Sequence, residues 1–167
     1  SIDLFENKTK QQEINWKDGL LHGLKTEYFP GGRVIRTTMN FYEGKRNGYF
    51  VYYHENTKVK LEGKYLFDQL DSTINCYYET GNLKYVHNYN NGVRVGESLS
   101  YFKNGNLEQK TNLKNEKPHG LMQTFYEAGN IRQMANYNEG VSEGQFIRYH
   151  LTGLMAEESY YKNGYLD

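Results

Sequence analysis

The chain has 167 residues, about the length of one domain, and 37% of them are hydrophobic, with 17 Tyr, 17 Gly and only 2 Pro. Basic and acidic residues both total 20, so the clustered positive charge that nucleic acid and anionic membranes require is missing, and we expect neither as a partner. The single cysteine, Cys76, excludes an internal disulfide framework and a cysteine-based zinc site.

The sequence repeats about every 24 residues, and one slot of the repeat, the glycine slot, shows this most clearly. It is filled by Gly23, Gly48, Ser72, Gly96, Gly120 and Gly144, with one interval of 25. A fixed period of this length is typical of arrays in which each supersecondary unit packs on its neighbours. We therefore interpret residues 1–167 as a single array of about six full units with partial units at its ends.

Aromatic residues follow the same period in three further slots. Five residues after the glycine slot, the first aromatic slot holds Tyr28, Tyr53, Tyr77, Tyr101, Phe125 and Tyr149. The next residue is the second aromatic slot, which holds Phe29, His54, Tyr78, Phe102, Tyr126 and His150. Twelve residues after the first aromatic slot, or thirteen in the unit that carries one inserted residue, the anchor slot holds Trp16, Phe41, Tyr65, Tyr89, Leu113, Tyr137 and Tyr161.

Turn signals separate these slots. Segments such as "KNGNL" at 103–107 and "EAGNI" at 127–131 lie between two apolar runs, and Asn-Gly or Gly-Asn in that context is a strong β-hairpin signal. A second short loop, such as "YNNGVRVG" at 89–96, connects each hairpin to the next. The pattern predicts an all-β chain: an elongated, single-layer antiparallel meander of tandem hairpins of about 24 residues.

Three details of the array can also be predicted. At 65–76, Asp68 and Ser72 replace the usual glycines, and we expect an irregular, widened connection there. Alternation along the strands places Leu121 and Phe125 on one face with Ala135 and Tyr137. The residues before the anchors predict a ladder of side-by-side amides formed by Asn15, Asn40, Asn88, Asn112 and Asn136.

Conventional active-site chemistry finds little support in this pattern. Gly92 and Gly96 resemble part of a phosphate loop, but such loops lead into a helix, whereas strands follow here. Four of the five histidines occupy repeat positions and no close histidine pair is present, so we expect no metal. The carboxylates recur singly, and we expect neither catalysis nor a cofactor.

The segments "LLHGLKTEYFPGG" at 20–32, "GVRVGESLSYFKNGNL" at 92–107 and "KPHGLMQTFYEAGNI" at 117–131 carry a family resemblance. The sequence resembles the MORN-repeat family, and more closely its bacterial variant, which is described as an antitoxin or immunity type. This resemblance implies a twisted, curved sheet that acts as a binding or scaffolding module. It also implies that the partner is a protein, and one candidate for that partner is a toxin.

A one-layer sheet cannot bury both faces, so some repeated rings must remain accessible. We expect a binding face lined by the first aromatic slot and by the anchors Tyr65, Tyr89 and Tyr137. The alternative is a surface-exposed, adhesin-like array that self-associates through its end strands or binds glycan. The chain begins with Ser1, so location stays open between the bacterial cytoplasm and, if an upstream signal was removed, the cell surface.

Overall fold

The computed structural model describes residues 1–167 and consists of strands and turns. No helix long and apolar enough to cross a bilayer occurs in it. The chain divides into two compact units, Ser1–Gly81 and Asn82–Asp167. Within each unit every strand pair is antiparallel, which confirms the all-β meander.

The first unit contains ten strands: β1 (Ile2–Leu4), β2 (Lys10–Glu13), β3 (Trp16–Lys17), β4 (Leu20–Leu21), β5 (Gly23–Tyr28), β6 (Ile35–Tyr42), β7 (Lys45–Tyr53), β8 (Val59–Leu66), β9 (Gln69–Leu70) and β10 (Ser72–Tyr77). The long strands pair in the order β1, β2, β5, β6, β7, β8 and β10. The short strand β9 pairs with the end of β8, and β3 pairs with β4 alone.

The second unit contains nine strands: β11 (Leu83–Asn90), β12 (Val93–Tyr101), β13 (Leu107–Lys114), β14 (Lys117–Pro118), β15 (Gly120–Phe125), β16 (Ile131–Asn138), β17 (Val141–Tyr149), β18 (Met155–Lys162) and β19 (Tyr165–Leu166). The long strands again pair in chain order, and the short strands β14 and β19 pair with the ends of β13 and β18.

The connections between hairpins are two-residue turns in which both residues have positive φ, the geometry that matches the twist of antiparallel strands. Asn91 and Gly92 have φ of 49° and 81°, and Phe67 and Asp68 have 45° and 70°. The connection at 65–76 therefore has the same two-residue turn as the others, and the predicted widening is absent. Arg46 holds the aspartate in the glycine position, because its main-chain N–H and its Nε both donate to Asp68 Oδ1, at 3.0 and 2.9 Å.

The hairpin tips are longer turns that end in a left-handed residue. The Phe102 N–H donates to the Asn106 carbonyl at 2.9 Å, and the Gly105 N–H, with φ of 93°, donates back to the Phe102 carbonyl at 2.9 Å. Beyond the tip, Ser100 pairs with Gln109 but Tyr101 pairs with Leu107, so one residue of the return strand is extra. The same shift occurs at the tips of the hairpins β1–β2, β5–β6, β7–β8, β15–β16 and β17–β18, so each of these tips carries a β-bulge.

Side-chain amides join neighbouring tips. The amides of Asn104 and Asn106 both donate to the Glu127 carbonyl in the next tip, and Asn130 donates to the Leu151 carbonyl in the tip after that. These bonds, of 3.0, 2.9 and 3.1 Å, satisfy turn carbonyls that no strand reaches. The tips of the second unit thus form a hydrogen-bonded chain.

The asparagines before the anchors are arranged differently from the prediction. Asn40 donates to the Tyr49 carbonyl at 2.9 Å and Asn136 to the Gln145 carbonyl at 3.3 Å, where the strand register shifts. These amides bond to the main chain rather than to one another. The predicted amide ladder is wrong because the bulges leave main-chain carbonyls that need a donor.

The tightest packing in the first unit surrounds Phe50, which is 1% exposed. Its strand partners Met39 and Gly63 are also buried, and Ile74 reaches over the glycine. A Cβ on Gly63 would lie 2.1 Å from Ile74 Cδ1 and 3.1 Å from Phe50 Cζ, so glycine makes room for both side chains. In the second unit the equivalent row runs through Met122, Ala135 and Phe146.

Ser72 is the non-glycine residue of the glycine slot and has φ of 92°. A left-handed backbone costs an L-residue roughly 1–2 kcal/mol, whereas the unfolded-state entropy of glycine costs roughly 0.5–1 kcal/mol. We therefore expect Ser72→Gly to raise the free energy of unfolding by about 0.5–1 kcal/mol, measured by urea denaturation. The matched control is Gly120→Ser, because Gly120 has φ of 82° and no atom near its Cβ position. This substitution should lower the free energy of unfolding. Equal or lower stability of Ser72→Gly would contradict this account.

Candidate functional site

The structure places the predicted binding residues on two faces instead of one. Gly48 pairs with Tyr65 and Gly120 with Tyr137, and directly paired residues of antiparallel strands share a face. Because successive side chains alternate, a first-slot residue five positions after a glycine slot lies on the opposite face. In each unit we call the two surfaces the anchor face and the first-slot face.

The anchor face of the first unit carries Tyr65, and that of the second unit carries Tyr89 and Tyr137. The first-slot face of the first unit carries Tyr28, Tyr53 and Tyr77, and that of the second unit carries Tyr101, Phe125 and Tyr149. All nine side chains are half-buried.

The tip bulge explains why alternation alone gave the wrong faces. Thr124 pairs with Gln133, but Phe125 pairs with Ile131, so the return strand contains one extra residue. Leu121 therefore pairs with Asn136, and Ala135 pairs with Met122 on the other face. The expectation that Leu121 and Phe125 share a face with Ala135 and Tyr137 is wrong.

Rings on the anchor face are used for packing. The Tyr65 ring lies 4.8 Å from that of Phe50, and the Arg46 guanidinium lies 4.3 Å from the centre of the Tyr65 ring. In the second unit the rings of Phe146 and Tyr161 meet edge to face at 6.1 Å. Such contacts stabilise neighbouring hairpins, so this face contains much of the structural core.

Two first-slot tyrosines hold carboxylates with their hydroxyl groups. The Tyr77 hydroxyl donates to Glu62 Oε1 at 2.6 Å, and the Tyr28 hydroxyl donates to Glu13 Oε2 at 3.1 Å. Burial, followed by the hydrogen bond to Glu62 and its negative charge, raises the pKa of Tyr77 to about 12. Burial and Glu13 also raise the pKa of Tyr28. These tyrosines are fixed and neutral at ordinary pH.

His87 occupies the central row of the anchor face in the second unit, where Ala135 lies two repeats later. Its ring stacks on that of Tyr85, with centres 4.4 Å apart and an interplanar angle of 16°. Burial lowers the pKa of His87, and the charge of Arg94 lowers it further. The imidazole is therefore a neutral packing group in this row.

The second aromatic slot bridges successive hairpins. The Tyr126 hydroxyl donates to the Tyr149 carbonyl at 2.8 Å, and His54 Nε2 lies 3.2 Å from the Tyr77 carbonyl. Each side chain thus reaches the first slot of the following hairpin. His54 and Tyr126 are therefore equivalent in this slot, since each supplies a ring with a polar atom at its edge.

A hollow that the sequence did not predict lies at the hairpin tips of the first unit. It measures about 670 Å³ and is lined by Thr9, Phe29, Pro30, Gly31, Arg33, Val34 and Glu55. A second hollow of about 420 Å³ shares Phe29 and Glu55 and adds Tyr53, His54, Asn56, Lys60 and Glu79. We call these two hollows together the tip cleft.

A one-residue insertion distinguishes the tip beside this cleft. The Phe29 N–H donates to the Val34 carbonyl, five residues on, whereas the His54 N–H donates to the Lys58 carbonyl, four residues on. The spacing of thirteen residues between Tyr28 and Phe41, instead of twelve, was the sign of this insertion in the sequence. It indicated an insertion, but only the structure shows that the cleft lies beside it.

A smaller hollow in the second unit lies between Tyr126, Tyr149 and His150 and is also lined by Arg132 and Arg148. Arg148 is ion-paired with Glu157 at 3.0 Å, which offsets part of the positive charge there. The structure contains no cluster of three or more His, Cys, Asp or Glu side chains that could hold a metal ion.

The environment of Tyr77 gives a testable pH dependence. Because its folded pKa, about 12, lies above the ordinary tyrosine value of 10.0, the tyrosine contributes stability that is complete below about pH 10 and is lost as the pH rises towards 12. We expect Glu62→Gln to lower this pKa, measured by NMR with ring-labelled tyrosine and with Tyr77→Phe for assignment. Glu13→Gln is the control, since it should affect Tyr28 and leave Tyr77 unchanged. An unaltered Tyr77 pKa in Glu62→Gln would contradict the assignment.

Comparison with known proteins finds a similar repeat in part of the chain. Three consecutive segments, 72–91, 94–115 and 118–139, match the family model described as a MORN repeat variant. The second of these covers β12, its tip and β13, so one match corresponds to one hairpin. No curated protein matches the chain. MORN repeats are non-catalytic modules that generally bind proteins or membranes, and three segments of this chain are similar to that repeat.

Proposed function

We propose that this chain is a non-enzymatic protein-binding module and that the first-slot face is its binding surface. The observation that carries the proposal is Tyr49, which is 72% exposed and lies on this face. Tyr49, Val51 and Tyr53 alternate along one side of β7, and Leu24 and Tyr28 occupy the corresponding side of β5. Together they form an accessible aromatic and aliphatic patch on the first unit.

Polar groups border and divide this patch. Tyr49 pairs with Lys64 and Val51 pairs with Glu62 on the β8 side, whereas Asn40, the partner of Leu24, lies on β6 between β5 and β7. Aromatic anchors within a polar rim are typical of protein interfaces, in which a few tyrosines contribute much of the binding energy. The anchor face offers less to a partner, because its rings already pack against Phe50 and Phe146.

An antitoxin or immunity role is the specific form of this proposal. It is supported by the sequence resemblance and by a surface that suits a protein ligand. In this role the first-slot face would cover a toxin and block its activity. The partner would then be toxic when produced alone and harmless when produced with this chain.

The double variant Tyr49→Ala, Tyr53→Ala tests the proposed face. Partners recovered with the tagged chain from its native cells would be purified, and their affinity measured by biolayer interferometry. We expect at least a tenfold loss, equivalent to about 1.4 kcal/mol, together with loss of protection when the partner is toxic. Tyr165→Ala is the control, because this 79% exposed tyrosine lies in β19 outside the patch. Unchanged affinity of the double variant, with a normal circular dichroism spectrum, would contradict the proposal.

A self-associating array is a second candidate, favoured by the last hairpin. Leu154, Met155 and Tyr160 in this hairpin are 70%, 57% and 53% exposed. The strand β18 pairs with β17 along its length but with β19 only at its last two residues. A strand edge with unpaired main-chain groups beside apolar side chains favours addition of another strand.

Light scattering over a concentration series tests this candidate. We expect the mass of the chain to rise with concentration, and we expect Leu154→Lys to suppress the rise by placing charge beside the edge. Leu121→Lys is the control, because Leu121 is also exposed, at 42%, but lies in β15, which is paired on both sides. A constant monomer mass at all concentrations would exclude self-association as the function.

A further inference from the structure

The tip cleft of the first unit has the chemistry of a carbohydrate site, and we propose that it binds a neutral oligosaccharide. Three aromatic side chains line it, Phe29, Tyr53 and His54, and all are half-buried. A pyranose ring has an apolar C–H face that packs against an aromatic ring. Its hydroxyl groups, which each donate and accept hydrogen bonds, remain free to contact the rim.

The charges at the rim are balanced. Arg33 and Lys60 are cations, and Glu55 and Glu79 are carboxylates, and none of the four forms an ion pair within the chain. An anionic ligand would be repelled by the carboxylates and a cationic ligand by the basic groups. A neutral polyhydroxyl ligand can accept from the first pair and donate to the second, so it uses all four groups.

The cleft is formed before any ligand arrives. A Cβ on Gly32 would lie 2.5 Å from the Lys10 main-chain nitrogen, so the extended tip lies directly against the preceding strand. On the other side, the Asn56 amide donates to the Glu79 carbonyl at 2.9 Å and fixes the next tip. Binding therefore requires little ordering of the protein, which favours affinity for a small ligand.

The combined size and shape also suit an oligosaccharide. Two adjoining hollows of about 670 and 420 Å³ fall in the range of small-molecule sites and share the Phe29 wall. They lie side by side along neighbouring tips, so a linear sugar chain could contact the rings of both Phe29 and Tyr53. This site is distinct from the proposed protein-binding patch, and the two have only Tyr53 in common.

The proposal is tested with neutral hexasaccharides as probes: cellohexaose, mannohexaose and chitohexaose, each titrated by isothermal calorimetry against the full chain. We expect at least one to bind. Phe29→Leu should weaken that binding about tenfold or more, because it removes the ring, whereas Phe29→Tyr should retain it. Phe102→Leu is the matched control, since Phe102 fills the same repeat slot beside a tip of ordinary length.

Deletion of Gly31 gives an independent measurement, because it returns the tip to ordinary length at a position with no neighbour within 4 Å of the Cβ site. We expect the deletion to abolish hexasaccharide binding with an unchanged circular dichroism spectrum. Tyr49→Ala should leave sugar binding intact whatever it does to a protein partner, which separates the two proposals. Absence of binding by all three probes, or equal losses in Phe29→Leu and Phe102→Leu, would overturn the carbohydrate site. So would capture of a peptide in the cleft without any sugar binding.

Discussion

The left-handed backbone at every change of direction is the constraint on which this structure depends. Of the 17 glycines, 16 have positive φ, and they lie at the tips, at the connections and in the glycine slot of the repeat. Few side chains are buried in a sheet of this kind, so register cannot come from a large core. It is fixed instead by turns of constant length and by side-chain amides that bond to main-chain carbonyls. The remaining glycine, Gly63, serves packing, because Ile74 and Phe50 fill the space of its missing Cβ.

The sequence was sufficient for the period, the hairpins and the positions of the turns, because these follow from glycine, asparagine and aromatic spacing. It was insufficient for the faces. The extra residue at each tip, such as Arg132 between Ile131 and Gln133, leaves no separate mark in a repeat that carries it in every unit. Simple alternation therefore combined the first slot and the anchors into one surface. The partners of Asn40 and Asn136 were hidden for the same reason, since bulges create the carbonyls that they satisfy.

The tip cleft shows how one inserted residue can distinguish a single unit of a repeat. Phe29 and Phe102 fill the same slot, and only the first lies beside an extended tip that borders a hollow. The departure at Asp68 had the opposite outcome, because Arg46 bonds to the aspartate and the turn keeps its length. The effect of a residue that breaks the repeat pattern thus depends on whether neighbouring groups can compensate for it. A neighbouring side chain can compensate for a substitution within a turn by bonding to the new residue, but it cannot compensate for a change in main-chain length.

The bulge at each tip also has a consequence for how such a chain can change over time. Two slots that are twelve residues apart in one unit point to opposite sides, so their side chains do not compete for the same contacts. One side can keep the rings that hold successive hairpins together while the other varies freely. A single unbulged hairpin would force both tasks onto one surface. Here the extra residue in the bulge places the packing rings and the side chains that are free to change on opposite faces of the sheet.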